Sequence, residues 1–320
     1  IRLAKVPGIK EKDIIALGKI KTFIIASKNK KFPVILFDPG SGVEVQQYGN
    51  IIGNLVSHGY IVLAINNTFI GSAIAFPDGR IVQHVAEILS KKTILEYHLH
   101  PEILGDVLYV RHSLYNGNPL LSKFITLMDL KHIGILGHSA GAQTGVNLAV
   151  RKYPKLFQAG ISLDGPPSLM GRKSPKPSQI QAFHIPFLRM LSAGWRCFYY
   201  PNIMQYDFKL DNNNYVVLLA HKKISLKKCG VPHALFYTGH MNFTDESSLQ
   251  YQPAYKAYLQ HKKLIGHLWN VGTADGVHIS KLINSYVLQF FNQYLKNIPS
   301  QAYSHCKSLS RDSIMLCNKQ

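Results

Sequence analysis

Ile133-Gly134-Ile135-Leu136-Gly137-His138-Ser139-Ala140-Gly141 sets the pattern Gly-x-Ser-x-Gly directly after a short apolar run and directly before a stretch rich in small residues. The run predicts a strand over 133–136, and the segment 141–151 predicts a helix. A serine on so sharp a strand-to-helix turn is held in a strained backbone conformation that lifts its hydroxyl into the open. Glycine is needed two residues away on either side because side chains there would collide with the turn. The nascent helix aims its first amides at the reacting oxygen. A five-residue pattern alone also arises by chance, as a glycine-rich tight turn with no chemistry. The strand before it and the helix after it turn the pattern into evidence, and they mark Ser139 as a nucleophile.

The same alternation extends through the chain. Apolar runs predict strands at 22–26, 34–37, 61–65, 133–136, 159–163, 187–191 and 234–237. Helical stretches are expected at 46–57, 102–115, 141–151 and 280–296. The strand runs are nearly all apolar rather than alternating, as expected where helices cover both faces of a parallel sheet. The pattern predicts an α/β architecture with a mostly parallel central sheet flanked by helices, the α/β-hydrolase fold. No linker or internal repeat divides the 320 residues, so one domain is expected, with a core over about 20–298 and a polar tail over 299–320.

The chain is 46% hydrophobic and 11% aromatic, which is ample for a core and argues against disorder. No apolar run reaches the roughly 18 residues that a membrane-spanning helix needs. The formal net charge of +19 comes from scattered Lys and Arg, in patches no longer than Lys28-Asn29-Lys30-Lys31. No signature of a nucleic-acid-binding module appears, so the charge is read as aiding solubility and attraction to an anionic lipid surface. Cysteines at 197, 229, 306 and 317 lack the paired spacing of a zinc site, and no metal or organic cofactor is implied. Two local disulfides, Cys197 with Cys229 and Cys306 with Cys317, compete with four reduced thiols as readings. The first residue is Ile1 rather than Met, which favours a processed, secreted or periplasmic protein over a cytoplasmic one.

A serine hydroxyl needs a base, and the base needs an orienting carboxylate, in the chain order Ser, acid, His. Between Ser139 and His240 lie Asp164, Asp207 and Asp211. Asp164 directly follows the strand 159–163, at the carboxyl edge where open α/β sheets bind ligands. Asp207 and Asp211 fall in a polar stretch that reads as a turn, so Asp164 is preferred. Among fifteen histidines, His240 stands out because it follows the run 234–237 and Gly239. His278 is the second candidate, and His138 is read as packing beside the serine. The oxyanion of an attacked carbonyl needs two amide donors. Ala140, next after the nucleophile, and Ser41, in Asp38-Pro39-Gly40-Ser41-Gly42, are the candidates.

These residues together resemble the plasma/isoform II platelet-activating factor acetylhydrolase family of α/β-hydrolases. The resemblance is carried by Pro33–Gly42, by Ser57-His58-Gly59-Tyr60-Ile61-Val62, by Ile135–Gly141, by Ile161-Ser162-Leu163-Asp164, by Gly239-His240-Met241-Asn242-Phe243, by Leu264-Ile265-Gly266-His267 and by Gly272–Gly276. It runs from about residue 20 to 298. It implies a calcium-independent lipase or esterase acting on phospholipids with short or oxidised acyl chains, or on other small esters. It also favours Asp164 as acid and His240 as base. Pro39 replaces a usual His, Ala140 a larger residue and Ala142 a second Gly, so the acyl pocket is expected to differ in shape. Trp195, Phe198 and Tyr199, with Phe183 and Phe187 upstream, are candidates for lining it or for resting on a lipid surface, with ordinary core packing beneath a loop as the competing reading. Rival readings are a thioesterase, peptidase or polyester hydrolase with the same three residues, and a non-catalytic lipid- or partner-binding module.

Overall fold

In the computed structural model, residues 30–76, 78–83, 101–119, 121–165, 183–194, 213–221, 236–249, 252–261 and 270–317 are described. The strands are β1 (Phe32–Asp38), β2 (Ile61–Ala64), β3 (Ala73–Ala75), β4 (Ile81–Gln83), β5 (Met128–His138), β6 (Ala159–Leu163), β7 (Phe187–Ser192), β8 (Asn214–Leu219) and β9 (Ile314–Cys317). Four helices carry most of the packing: α1 (Gly49–Ser57), α2 (Pro101–Ser113), α3 (Gly141–Leu148, continuing as Ala149–Lys152) and α4 (Gly276–Leu295). Seven strands join one sheet in the order β2-β1-β5-β6-β7-β8-β9, while β3 and β4 form a separate hairpin. Every pairing in the large sheet is parallel except β8 with β9.

Every residue of β1, β6, β7 and β8 is buried, because helices cover both faces of the sheet. Along β1 the side chains alternate between two cores, as the two-residue period of a strand requires. Ile35 and Phe37 pack with Ile51 and Leu55 of α1 and with Ile283, Val287, Phe290 and Phe291 of α4. Val34 and Leu36 pack on the other face with Val107 of α2 and with Val146, Ala149 and Val150 of α3. Each such fully buried side chain contributes about 1.5–3 kcal/mol from the area it removes from water. Parallel strands running the same way bring the ends of β1, β5, β6 and β7 to one edge, where the candidate site residues lie.

Several expectations are corrected. The strand expected at 22–26 lies outside the described residues, as do Ala234 and Leu235. Phe236 and Tyr237 are described, and they are not in a strand. The strand beside β7 is β8, in a stretch not assigned to any strand because its polar asparagines suggest a turn. Asn214 is nonetheless buried, since its side chain bonds the Phe183 backbone at both ends, with Nδ2 donating to Phe183 O at 3.1 Å and Oδ1 accepting from Phe183 N at 3.4 Å. The segment expected to be a polar tail instead closes the sheet, with Met315 of β9 opposite Val217 of β8. Two of its polar side chains bond the protein: Tyr286 Oη and Ser313 Oγ are 2.8 Å apart, and Ser308 Oγ accepts from Met315 N at 3.0 Å. A disulfide joins Cys306 to Cys317 across that turn, with Cα atoms 6.0 Å apart. Cys197 and Cys229 lie outside the described residues. Among the described residues no helix is long and apolar enough to cross a membrane.

Candidate active site

Ser139 sits between β5 and α3 with φ of 53°, a left-handed conformation that a non-glycine residue adopts only when its surroundings compel it. Its amide donates to Leu163 O at 3.0 Å and its carbonyl accepts from Gln143 N at 2.9 Å, so both neighbours of the turn hold it. The two flanking glycines are needed for different reasons. A Cβ on Gly137 would lie 2.8 Å from the Gly141 carbonyl carbon and from Val146, within the turn itself. A Cβ on Gly141 would instead strike the backbone of the preceding strand end, 2.3 Å from Asp38 O and 2.5 Å from Pro39 O. The start of α3 thus lies directly on the 38–42 loop, a close approach that the five-residue pattern does not disclose.

Asp164, His240 and Ser139 come together from three segments. His240 Nε2 is 2.8 Å from Ser139 Oγ, and His240 Nδ1 is 3.0 Å from Asp164 Oδ2. Asp164 is fully buried just past β6, with φ of 48°. Its Oδ1 accepts from Ser192 N at 2.6 Å and its Oδ2 from Ser192 Oγ at 2.8 Å. Burial pushes the Asp164 carboxyl well above the usual carboxylate range, and the two Ser192 donors oppose that push. With the acid accepting at Nδ1, the ring's Nε2 faces the serine hydroxyl as an acceptor. A hydroxyl, an imidazole and a carboxylate in this order can move the Ser139 proton onto His240.

His240 opens a short 3-10 turn, His240–Phe243, that is braced from beneath. Asn242 Oδ1 accepts from the amides of Gly239 and Gly272, each at 2.8 Å, and its Nδ2 donates to Ser247 Oγ at 2.9 Å. Thr238 Oγ1 donates to Leu219 O and accepts from Ala193 N, which ties this loop to the ends of β8 and β7. Ser192, Thr238 and Asn242 were not among the sequence candidates. Ser192 had a signal, a polar residue at a strand's carboxyl end. Asn242 stands inside the His240 motif, and Thr238 had none. His278, the second base candidate, bonds Asp312 instead, with Nε2 3.1 Å from Oδ2.

The 38–42 loop passes directly beside Ser139, since a Cβ on Gly40 would stand 3.1 Å from Ser139 Cβ. The Gly40 amide is used by Tyr48 Oη at 3.0 Å, and the Gly42 amide by Ile70 O at 2.8 Å. Between these two committed amides in sequence lies that of exposed Ser41, and Ala140 directly precedes α3. The expected pocket residues Trp195, Phe198 and Tyr199 lie outside the described residues, as do Asp207 and Asp211. Phe183 and Phe187 follow the core-packing reading rather than the pocket one: both are buried and stacked 3.7 Å apart within the core that contains Val150 and Ile133. Their apolar rings gain more from that interior than from an open cleft. Among the described residues no cluster of three His, Cys, Asp or Glu side chains could hold a metal ion.

No family model matches this chain, and neither does any curated protein. Among solved structures it is similar to a ferulic acid esterase from Streptomyces cinnamoneus, with 18% identity over 90% of this chain and 74% of that one, at a TM-score of 0.65. A Pyrococcus horikoshii acylaminoacyl peptidase is similar over 60% of this chain and 33% of its own length, with 18% identity and a TM-score of 0.39. Together with the mostly parallel seven-stranded sheet flanked by helices, the likeness to the esterase shows that the chain has the α/β-hydrolase fold.

Proposed function

We propose that the protein is a serine carboxylic-ester hydrolase with Ser139 as nucleophile, His240 as base and Asp164 as the orienting acid. The observation that carries this reading is the unbroken contact chain, 2.8 Å from Ser139 Oγ to His240 Nε2 and 3.0 Å from His240 Nδ1 to Asp164 Oδ2. Ser139 attacks an ester carbonyl while His240 takes its proton, and Asp164 stabilises the imidazolium. The amides of Ala140 and Ser41 hold the oxyanion, each contributing about 3–4 kcal/mol in the transition state. His240 then protonates the leaving alcohol and activates the water that releases the acid.

The finer reading is a phospholipid with a short or oxidised acyl chain, or another small ester. Support comes from the resemblance of the site segments to platelet-activating factor acetylhydrolases and from the charge of +19, which favours approach to anionic lipid. The Cys306–Cys317 disulfide supports a secreted or periplasmic protein, since such bonds persist in oxidising compartments. The ferulic acid esterase likeness adds esters of aromatic acids to the substrates worth testing. The test is hydrolysis of p-nitrophenyl esters of increasing acyl length, with feruloyl and phospholipid esters alongside, by the wild type and by Ser139→Ala. Loss of the nucleophile is expected to remove about 10⁴–10⁶ of the rate. Equal, negligible rates for both proteins on every substrate would favour a binding module instead.

A further inference from the structure

Three buried polar groups beside the site have no part in the chemistry proposed above, and they come from separate segments. Tyr48 closes the 3-10 turn before α1, His138 ends β5, and the third group is the backbone carbonyl of His240. Tyr48 and His138 are both fully buried. The Gly40 amide donates to Tyr48 Oη at 3.0 Å, Tyr48 Oη is 2.8 Å from His138 Nδ1, and His138 Nε2 is 3.2 Å from His240 O. These contacts link positions 90 and 102 residues apart in sequence.

The direction of each bond follows from donor chemistry. A carbonyl oxygen only accepts, so His138 Nε2 carries the hydrogen. Burial, reinforced by the neighbouring His240, holds the His138 pKa well below the usual histidine range, so the ring is neutral and Nδ1 is bare. Bare Nδ1 can only accept, so the Tyr48 hydroxyl donates to it. The Tyr48 oxygen then uses a lone pair for the Gly40 amide. One arrangement satisfies all four groups. The His138 ring also lies against the His240 imidazole with centroids 4.5 Å apart, and against Phe243 at 5.8 Å. Any side chain on Gly40 would crowd the whole assembly, since its Cβ would stand 3.2 Å from His138 Nδ1 and 3.3 Å from Tyr48 Oη.

We infer that Tyr48 and His138 are positioning residues: their hydrogen-bond relay locks the loop that carries Gly40 and Ser41 to the backbone of His240, so that the oxyanion donors and the base are held in one frame. This rests on the reading of Ser139 as a nucleophile. The relay's hydrogen bonds end on the His240 backbone carbonyl and reach neither Ser139 Oγ nor the His240 ring nitrogens. It acts by fixing where His240 and the Ser41 amide stand, and misplacement by about 1 Å can cost on the order of 10²-fold in rate.

The test is Tyr48→Phe in the full chain, which keeps the ring packed on Phe37 and removes only the hydroxyl. Fluorophosphonate labelling and p-nitrophenyl ester kinetics would be measured for both proteins, with the unfolding midpoint as a check on folding. The expected result is a kcat roughly 10- to 100-fold lower with KM within about twofold, because ground-state binding is untouched while transition-state alignment is lost. In parallel, ¹⁵N NMR of the His138 ring in the wild type should show the hydrogen on Nε2, a readout that stands even if the variant fails to fold. A labelled, active wild type with a folded variant of equal kcat overturns the positioning role alone, as does a His138 hydrogen found on Nδ1. A wild type that neither labels nor turns over overturns the nucleophile reading and the positioning role with it.

Discussion

Replacing Asp38 with Asn should make the protein's stability much less dependent on pH. Asp38 ends β1 with no exposure. Its Oδ1 accepts from Asn67 Nδ2 at 2.6 Å, and its Oδ2 fills the space left by Gly145, where a Cβ would fall 1.8 Å from that oxygen. Burial pushes the Asp38 carboxyl up to about 8, with Asn67 pulling it down and Asp106 adding to the rise. A folded pKa raised above that of the unfolded chain means that the folded protein holds an extra proton between the two values. The stability from the neutral acid is therefore complete below about pH 4 and is lost progressively as pH rises towards 8. At about 1.4 kcal/mol per pH unit, the loss between about pH 5 and pH 7.5 comes to about 3 kcal/mol. Asn keeps the acceptor for Asn67 and cannot ionise, and any packing cost it brings is the same at both pH values. Urea unfolding of the wild type and Asp38→Asn at those two pH values should therefore show the variant gaining about 3 kcal/mol on the wild type at the higher one. Titrating groups that do not interact with Asp38 cancel in that difference. A difference that stays constant within about 0.5 kcal/mol would refute the reading of Asp38 as a buried neutral acid.

Asp164→Asn should lower kcat on a p-nitrophenyl ester by about 10⁴-fold, by removing the acceptor that sets the His240 tautomer. His278→Ala should leave the same rate within about twofold, because His278 bonds Asp312 rather than Ser139, and steady-state kinetics on both variants separates the two histidine assignments. The double substitution Cys306→Ser with Cys317→Ser should destabilise the chain by about 2–3 kcal/mol, since the bridge closes a loop with a sequence separation of 11. That cost should appear in urea unfolding and in faster amide exchange along β9, while ester turnover stays unchanged.

Local sequence was enough where the chemistry and the structure lie within a few residues of each other. Gly137-His138-Ser139-Ala140-Gly141 between an apolar run and a helix specified the left-handed serine, because the strain, the glycines and the helix start all belong to one turn. Continuous apolar runs at β1, β5, β6 and β7 marked buried parallel strands, since two covered faces leave no room for polar alternation. Asp164 stood out because it directly follows one of those runs. The same logic misplaced β8, where a polar Asn214 is buried by bonds to Phe183 that no local pattern shows. It also misread the chain end, because the polar residues around 300–317 find partners on α4 and β8 only once those elements are packed.

Amino-acid order alone therefore determined which residue types could serve as nucleophile, acid and base, and the strands that would carry them, since these follow from period, turn chemistry and order along the chain. What only tertiary structure decided is which groups meet at distance. It bonded His240 rather than His278 to Ser139, with Asp164 behind it and Ser192 on Asp164. It set the 38–42 loop against Gly141 and joined Tyr48 to His138 across 90 residues. The physical reason is that a hydrogen bond depends on position to within a few tenths of an ångström. Between segments so far apart in sequence, that position is fixed by the packing of the whole sheet and its helices, not by any neighbour along the chain.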